Sequence, residues 1–578
     1  MGIASQVRTA KSPEAPLFRF PMPSRAWHDG EQQGAGQDRT GQASMGLLSA
    51  TWRRSSTRTW QWHPNPPSAG AKSRRLHPTS YLDGLRGIAS VLVFFCHYTE
   101  ENHRYMLPTY GLPYENDGVA SSPVQLPFFR LIFSGRPMVH IFFVISGFAL
   151  SYKPLKEIRA RNFKGFHAAL SSSAFRRPIR LYGPPLVSTC IVFLMVCLGL
   201  VYKPQPTFRD QLEHWASSIF YQVLWPWSWD TELRPRYDLH LWTIPIEMCH
   251  SMLLFVILLT LSRVRYHVRL FVTLFLMNYC LSCGRWAAFE FIAGMLLAEF
   301  HLKTAEERQA QQQQLKLYEQ YDPADGGDGD DDKMSIFEKA LHWAILLTAF
   351  YISGWPNNQP DYATGISVLD AWTPAAFPHN DPTTPQKFWF ALCAVGVVWS
   401  CGRLSLTRKA LESRFAQYCG RVSYAVYIVH GPVLELLQTK ITGEPPHLKA
   451  TSLGQGKGHG DGQGPSPAPT PIPGQAPGHL VHSPGHPAYN MPATTVAGFG
   501  LKGLTGVETV GQRTLCWLLG LVFFVPLVMA VSDIFCRWVD EPIVDMARRI
   551  ERRCAIDELE RTPTNPVVDK TDRDRWHA

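Results

Sequence analysis

The sequence predicts an all-α integral membrane protein of about ten transmembrane helices with both termini cytosolic. Three observations lead there: a split composition, an alternating charge pattern between apolar runs, and ionisable residues within those runs. Of the 578 residues, 45% are hydrophobic and 18% are charged. The mean hydropathy of -0.10 would suit a soluble protein, but it averages two populations. Residues 1–80, 301–335, 440–500 and 555–578 are polar or Pro/Gly-rich, and much of the rest is close to continuously apolar. Ten spans of about 20 residues would use about 200 residues. A small soluble domain is excluded. So is a disulfide scaffold, because most cysteines (Cys96, Cys190, Cys197, Cys249, Cys393, Cys516, Cys536) lie inside apolar runs, where a thiol behaves as a small hydrophobe.

The candidate spans, in order, are 82–98, 136–152, 184–202, 241–262, 268–283, 286–300, 336–354, 387–402, 422–438 and 514–540. Residues 211–229 are Trp-rich and broken by Pro226. They read as an interfacial helix, because indole rings favour the headgroup zone. The net charge of +9 does not point to nucleic acid, because the basic residues gather beside apolar runs. Arg53, Arg54, Arg58, Lys72, Arg74 and Arg75 precede the first span. The second, fourth and eighth connections are basic, whereas the first, 99–135, has only Arg104 and Arg130 and 355–386 has no Lys or Arg. That alternation is the positive-inside pattern of a chain with both ends in the cytosol.

Three regions follow: a basic, disordered N-terminal tail at 1–80, a membrane domain at 81–545, and a charged cytosolic tail at 546–578. Within the membrane domain, 443–497 is a Gly/Pro/His-rich insertion expected on the non-cytosolic side. Its histidines and the isolated Cys280-x-x-Cys283 pair do not make a metal site, and we expect none. Endoplasmic reticulum, Golgi and plasma membrane are all compatible locations.

An ionisable residue inside a span costs several kcal/mol and raises a functional question. Arg86 and His97 are eleven residues apart, hence on one helix face and about 16 Å apart along the axis. Arg86 is expected near the cytosolic end and His97 deeper. Glu247, near the start of an oppositely directed span, is expected at the depth of His97. A carboxylate there would orient the ring and stabilise the imidazolium of a general base. His250 shares that region. Ser146-Gly147 lets a backbone or thin ligand come close. Arg176, Arg177 and Arg180 have the donor geometry that suits phosphate. Packing and topology would explain each of these equally well.

Ordered segments sharpen the picture: YLDGLRGIASVLVFFCH, FFVISGFAL, RRPIRLYGPP, HLWTIPIE, FEFIAGMLLAEF, GRVSYAVYIVHGPVL and VDEPIVD. Over about 81–545 the chain resembles the membrane-bound acyltransferase 3 family, whose best-known members O-acetylate bacterial surface sugars. The resemblance implies that Arg86 and His97 are the essential first-span pair, and that Glu247 is the first Glu of the family's double-Glu segment. Met248 replaces the second. Arg177 and Arg180 match the R-x-x-R assigned to the acyl-CoA donor, and Ser146 and Gly147 match the S-G-F/Y segment. In RLYGPP the expected proline falls one position late. The implied reaction moves an acyl group from cytosolic acyl-CoA, acetyl-CoA foremost, to a hydroxyl of a carbohydrate, lipid or secondary metabolite. His97 would serve as general base or as covalent acyl carrier, Glu247 would orient it, and the arginines would hold the CoA phosphates. The alternative is a non-catalytic transporter or lipid-handling protein using the buried Arg, His and Glu as a proton or anion pathway.

Overall fold

The computed structural model describes residues 77–112, 122–321, 334–357, 359–381, 383–442 and 510–555. The 443–497 insertion and almost all of the N-terminal tail lie outside them. Among the described residues the fold is entirely helical. Ten long helices carry it: α1 (Ser80–Asn102), α2 (Arg136–Arg159), α3 (Phe163–Cys197), α5 (Thr243–Leu261), α6 (Tyr266–Ser282), α7 (Trp286–Tyr321), α8 (Ile336–Ser353), α10 (Thr384–Arg403), α12 (Arg414–Thr442) and α13 (Val510–Phe535). Shorter helices join them: α4 (Phe208–Ser218), α9 (Ile366–Ala371), α11 (Ser405–Leu411) and the terminal α14 (Glu541–Cys554).

Each candidate span falls wholly or mostly on one long helix. Five helical stretches are long and apolar enough to cross a membrane, or six if α10 and α11, bent by 94°, count as one. Among the others, α6 has only 17 residues. Helices α1, α7 and α12 carry ionisable residues such as Arg86, Glu290 and Arg421. The 211–229 segment yields the 11-residue α4, too short to span, followed by the π turn Ile219–Val223.

Local sequence explains the helix limits. Asn162 caps α3 by accepting the Gly165 N–H at 3.0 Å, and Ser335 with Glu338 forms a capping box on α8. Pro184 and Pro185 lie inside α3 without ending it. The late proline of RLYGPP therefore sits in continuous helix, which neighbouring helices allow at membrane depth. At the other end, 546–554 is not simply tail. It continues α14, whose Ile543 packs against Gly183 of α3, and whose Glu551 pairs with Arg176 at 3.1 Å.

Glycines set the closest helix crossings. A Cβ on Gly84 or Gly87 of α1 would strike the backbone of Leu411 or of Cys419-Gly420. Side-chain-free surfaces let α1 lie nearly backbone to backbone against the end of α11 and against α12. Likewise Gly147 of α2 rests on the backbone of Phe291, and Gly294 of α7 on that of Val144. One buried carboxylate is matched by two guanidiniums. Glu299 of α7 accepts from Arg269 at 2.7 Å and from Arg159 at 2.8 Å, tying α6 and α2 to α7. An unpaired carboxylate there would be strongly destabilising.

Candidate functional site

Helices α1 and α12 run side by side in the same direction, and that pairing builds the site. At one end Arg86 Nε donates to Ser423 Oγ at 2.9 Å and Nη2 to the Gly420 carbonyl at 3.1 Å. Asp83 lies 3.5 Å from the same guanidinium. About three turns further along α1 and two beyond Ser423 on α12, the rings of His97 and His430 stack with centroids 5.3 Å apart. A third ring, His240, sits 4.1 Å from His97 and 4.4 Å from His430. It comes from the 3₁₀ turn Leu239–Trp242 that leads into α5.

Each ring of this trio has a fixed neighbour. His240 Nδ1 bonds Asp238 Oδ1 at 2.9 Å, His430 Nδ1 bonds the Val426 carbonyl at 2.9 Å, and His97 Nδ1 faces Glu100 Oε2 at 3.3 Å. Asn357 holds the other oxygen of Glu100 at 2.9 Å. Tyr427 donates to the His240 carbonyl and lies 2.7 Å from Thr243 Oγ1, pinning the turn to α12. Gly431 makes the close approach possible, because a Cβ there would meet His240 Nδ1.

Glu247 is the main correction to the sequence expectation. Among the described residues no hydrogen bond or ion pair joins it to His97. It accepts from Arg177 Nη2 at 2.6 Å and from Ser146 Oγ at 2.9 Å, while Arg177 Nε donates to Ser251 at 3.1 Å. The expectation rested on depth alone, whereas a carboxylate among apolar helices goes to the cation in reach. Three expected site residues, Arg177, Glu247 and Ser146, thus converge, but on one another. The carboxylate beside His97 is Glu100.

The other expectations divide. Arg86 lies in the second turn of α1, whereas Arg176, Arg177 and Arg180 lie midway along α3, and two of the Arg86 donors hold α12. Gly147 is covered by the Phe291 backbone and serves helix packing instead of a ligand. His250 bonds the Ile246 carbonyl at 2.8 Å within its own helix. Arg180 is exposed, and among the described residues it makes no hydrogen bond or ion pair. Asp540, on the π turn Cys536–Asp540, acts electrostatically on both Arg180 and Arg86. The VDEPIVD segment therefore belongs to this charged end.

Sequence reasoning missed Asp238, His240 and His430. The signal was present, because His240 opens HLWTIPIE and His430 lies in GRVSYAVYIVHGPVL, two segments that carried the resemblance. What the chain order hides is their meeting point, with 143 and 190 residues separating 97, 240 and 430.

A model of the acyltransferase domain matches residues 79–454, about two thirds of the chain. The chain belongs to the acyltransferase 3 family. This acyltransferase is 30% identical over 410 residues to O-acetyltransferase PaAT-1 of Phomopsis amygdali, covering 64% of the chain and 76% of the relative. It is 26% identical over 426 residues to acyltransferase R4 of a Phoma species, with 64% and 83% covered. With acyltransferase clz18 of Cochliobolus lunatus it shares 25% identity over 408 residues, covering 61% and 82%. No solved structure matches it. The family and these relatives identify an O-acyltransferase and set aside the transporter alternative. With its apolar helices, the family also marks the acyltransferase as a membrane protein.

Proposed function

We propose that this acyltransferase moves an acyl group, acetyl foremost, from acyl-CoA to a hydroxyl of a carbohydrate, lipid or secondary-metabolite acceptor. One observation supports this above all: the imidazole trio, built by α1, α12 and the turn before α5, stands beside a bundle whose α3 carries the Arg177 and Arg180 guanidiniums. Those guanidiniums suit an anionic donor. Arg180 has its donors available, and Arg177 keeps part of its guanidinium beyond Glu247 and Ser251. The acceptor hydroxyl is activated at the trio. With bare imidazoles His97 takes the proton, because it is the most open of the three rings, with 28% of its side chain exposed. Asp238 and Glu100 stabilise the charge that forms. Glu247 holds Arg177 in place and does not orient His97. The relative named as an O-acetyltransferase supports acetyl as the transferred group.

Arg180→Ala tests the donor end. Losing one or two charge-assisted hydrogen bonds, at about 1.5–3 kcal/mol each, should raise the apparent KM for acetyl-CoA at least tenfold. Turnover at saturating donor should persist. CoA release from labelled acetyl-CoA with membrane extract as acceptor source provides the assay. An unchanged KM would reduce this arginine to a topology signal.

We further propose that all ten long helices cross the bilayer with both termini cytosolic, as the basic connections indicate. Segment 443–497 should then resist protease added to the cytosolic side of sealed vesicles, and tags at the two termini should be cleaved. Cleavage of the insertion from that side would mean the span count is off by one. The endomembrane system and the plasma membrane both fit this arrangement.

A further inference from the structure

We propose that His97, His240 and His430 bind a divalent transition-metal ion, with Zn²⁺ the best fit. One ring nitrogen from each lies within 4.8 Å of the other two. Nδ1 of His240 and of His430 donates to a fixed acceptor, and that of His97 faces a carboxylate. A ring whose Nδ1 carries the proton presents Nε2 as a bare lone pair. The trio therefore offers acceptors to one another and no donor. His430 Nε2 is buried and makes no hydrogen bond. Such an orphan calls for an explanation, and an unseen ion is one.

The surroundings fit a metal centre. Three neutral imidazoles with one open position are a ligand set of catalytic zinc, at Zn–N distances of about 2.0–2.1 Å. A carboxylate behind one ring and a backbone carbonyl behind another are the outer partners that fix ligand tautomers. They are Asp238 and Val426 here. Gly431 lets the His240 turn sit against α12 within reach of His430.

This inference rests on the trio as the hydroxyl-activating centre and changes how it activates. With the ion bound, His97 is a ligand and the acceptor hydroxyl takes the open position, where its pKa falls. The O–H bond breaks and its proton passes to Glu101, one turn beyond His97 on α1, whose Oε2 is buried without a hydrogen bond. The alkoxide oxygen bonds the acyl carbon, the C–S bond breaks, and the CoA thiolate leaves with the proton returned from Glu101.

The test uses the full-length protein in detergent, with its cysteines alkylated so that thiolates do not bind metal. After equilibration with Zn²⁺ and desalting, elemental analysis should find about one zinc per chain. His240→Ala and His430→Ala should each lower occupancy at least tenfold at limiting zinc, and Asp238→Asn should weaken binding by about 10–100-fold. Co²⁺ added to the wild type should give the visible spectrum of a tetrahedral nitrogen site, a readout that needs no variant to fold. Wild type that holds no more zinc than a His240→Ala/His430→Ala double variant, with no such Co²⁺ spectrum, overturns the proposal. Zinc-free protein that releases CoA as fast as the loaded form also overturns it, and leaves the acyl-CoA reading standing. Zinc-loaded protein that never releases CoA would instead sink the acyl-CoA reading and leave the metal site standing.

Discussion

His97→Ala should abolish acyl transfer while leaving the protein inserted and expressed at the wild-type level. His97 is the most exposed ring of the trio, packed against His240 and stacked on His430, and backed by Glu100. As a bare base its loss removes the proton acceptor, which typically costs about 10²–10⁴-fold in rate. As a metal ligand its loss disrupts the ion that lowers the hydroxyl pKa. Both routes predict a collapse in kcat, with little change in the apparent KM for acyl-CoA, because the proposed donor residues Arg177 and Arg180 lie on α3, away from the trio. The fold should survive, since the α1–α12 crossing is set by Gly87, Gly420 and Arg86 and not by the imidazole. The measurement is CoA release together with a size-exclusion profile in detergent. A variant that is well assembled and keeps more than about a tenth of wild-type turnover would rule out chemistry at His97, because the smallest expected loss is about 10²-fold.

Gly147→Leu should prevent the bundle from assembling. The expected symptom is loss of monodisperse protein, not a change in kinetics. A Cβ at this position would overlap the backbone of Phe291, and backbone cannot rotate aside as a side chain can. Gly294 leaves the same crossing no slack from the other side, lying against the Val144 carbonyl. To admit a leucine, α2 and α7 would have to separate and open a seam lined by Phe143, Ile145 and Phe291. Overpacking in a close-fitted core typically costs about 1–3 kcal/mol. Separating two helices along their length should exceed that. Ser146→Ala is the matched control. It removes only the hydroxyl that donates to Glu247, so it should assemble normally. If Gly147→Leu assembled normally and instead raised the KM for acyl-CoA, the glycine would face the ligand and the packing explanation would be wrong.

How much of the site was legible beforehand depends on whether a relation is local to one helix. Arg86 and His97 share a face because eleven residues make almost three whole turns, and the structure places them along one partner helix accordingly. The Ser-Gly step in α2 announced a close approach by its lack of bulk, and a backbone does approach there. Which backbone, and whether a ligand takes part, was not encoded locally. Glu247 shows the limit. Its depth followed from helix direction and length, but its partner depended on the rotation of α5 about its own axis. That rotation places it against Arg177 and Ser146.

The sequence by itself determined the all-helical fold, the position of nearly every long helix and, through seven ordered segments, the acyltransferase family. These properties follow from hydrophobic runs, charge placement and short motifs, which act over a few turns of chain. The tertiary structure alone decided that His97, His240 and His430 meet and that Arg177 is held by Glu247. The meeting of the three rings comes from close approaches at Gly87, Gly420 and Gly431. Atoms more than a hundred residues apart in sequence reach hydrogen-bond distance only after the backbones have packed that closely.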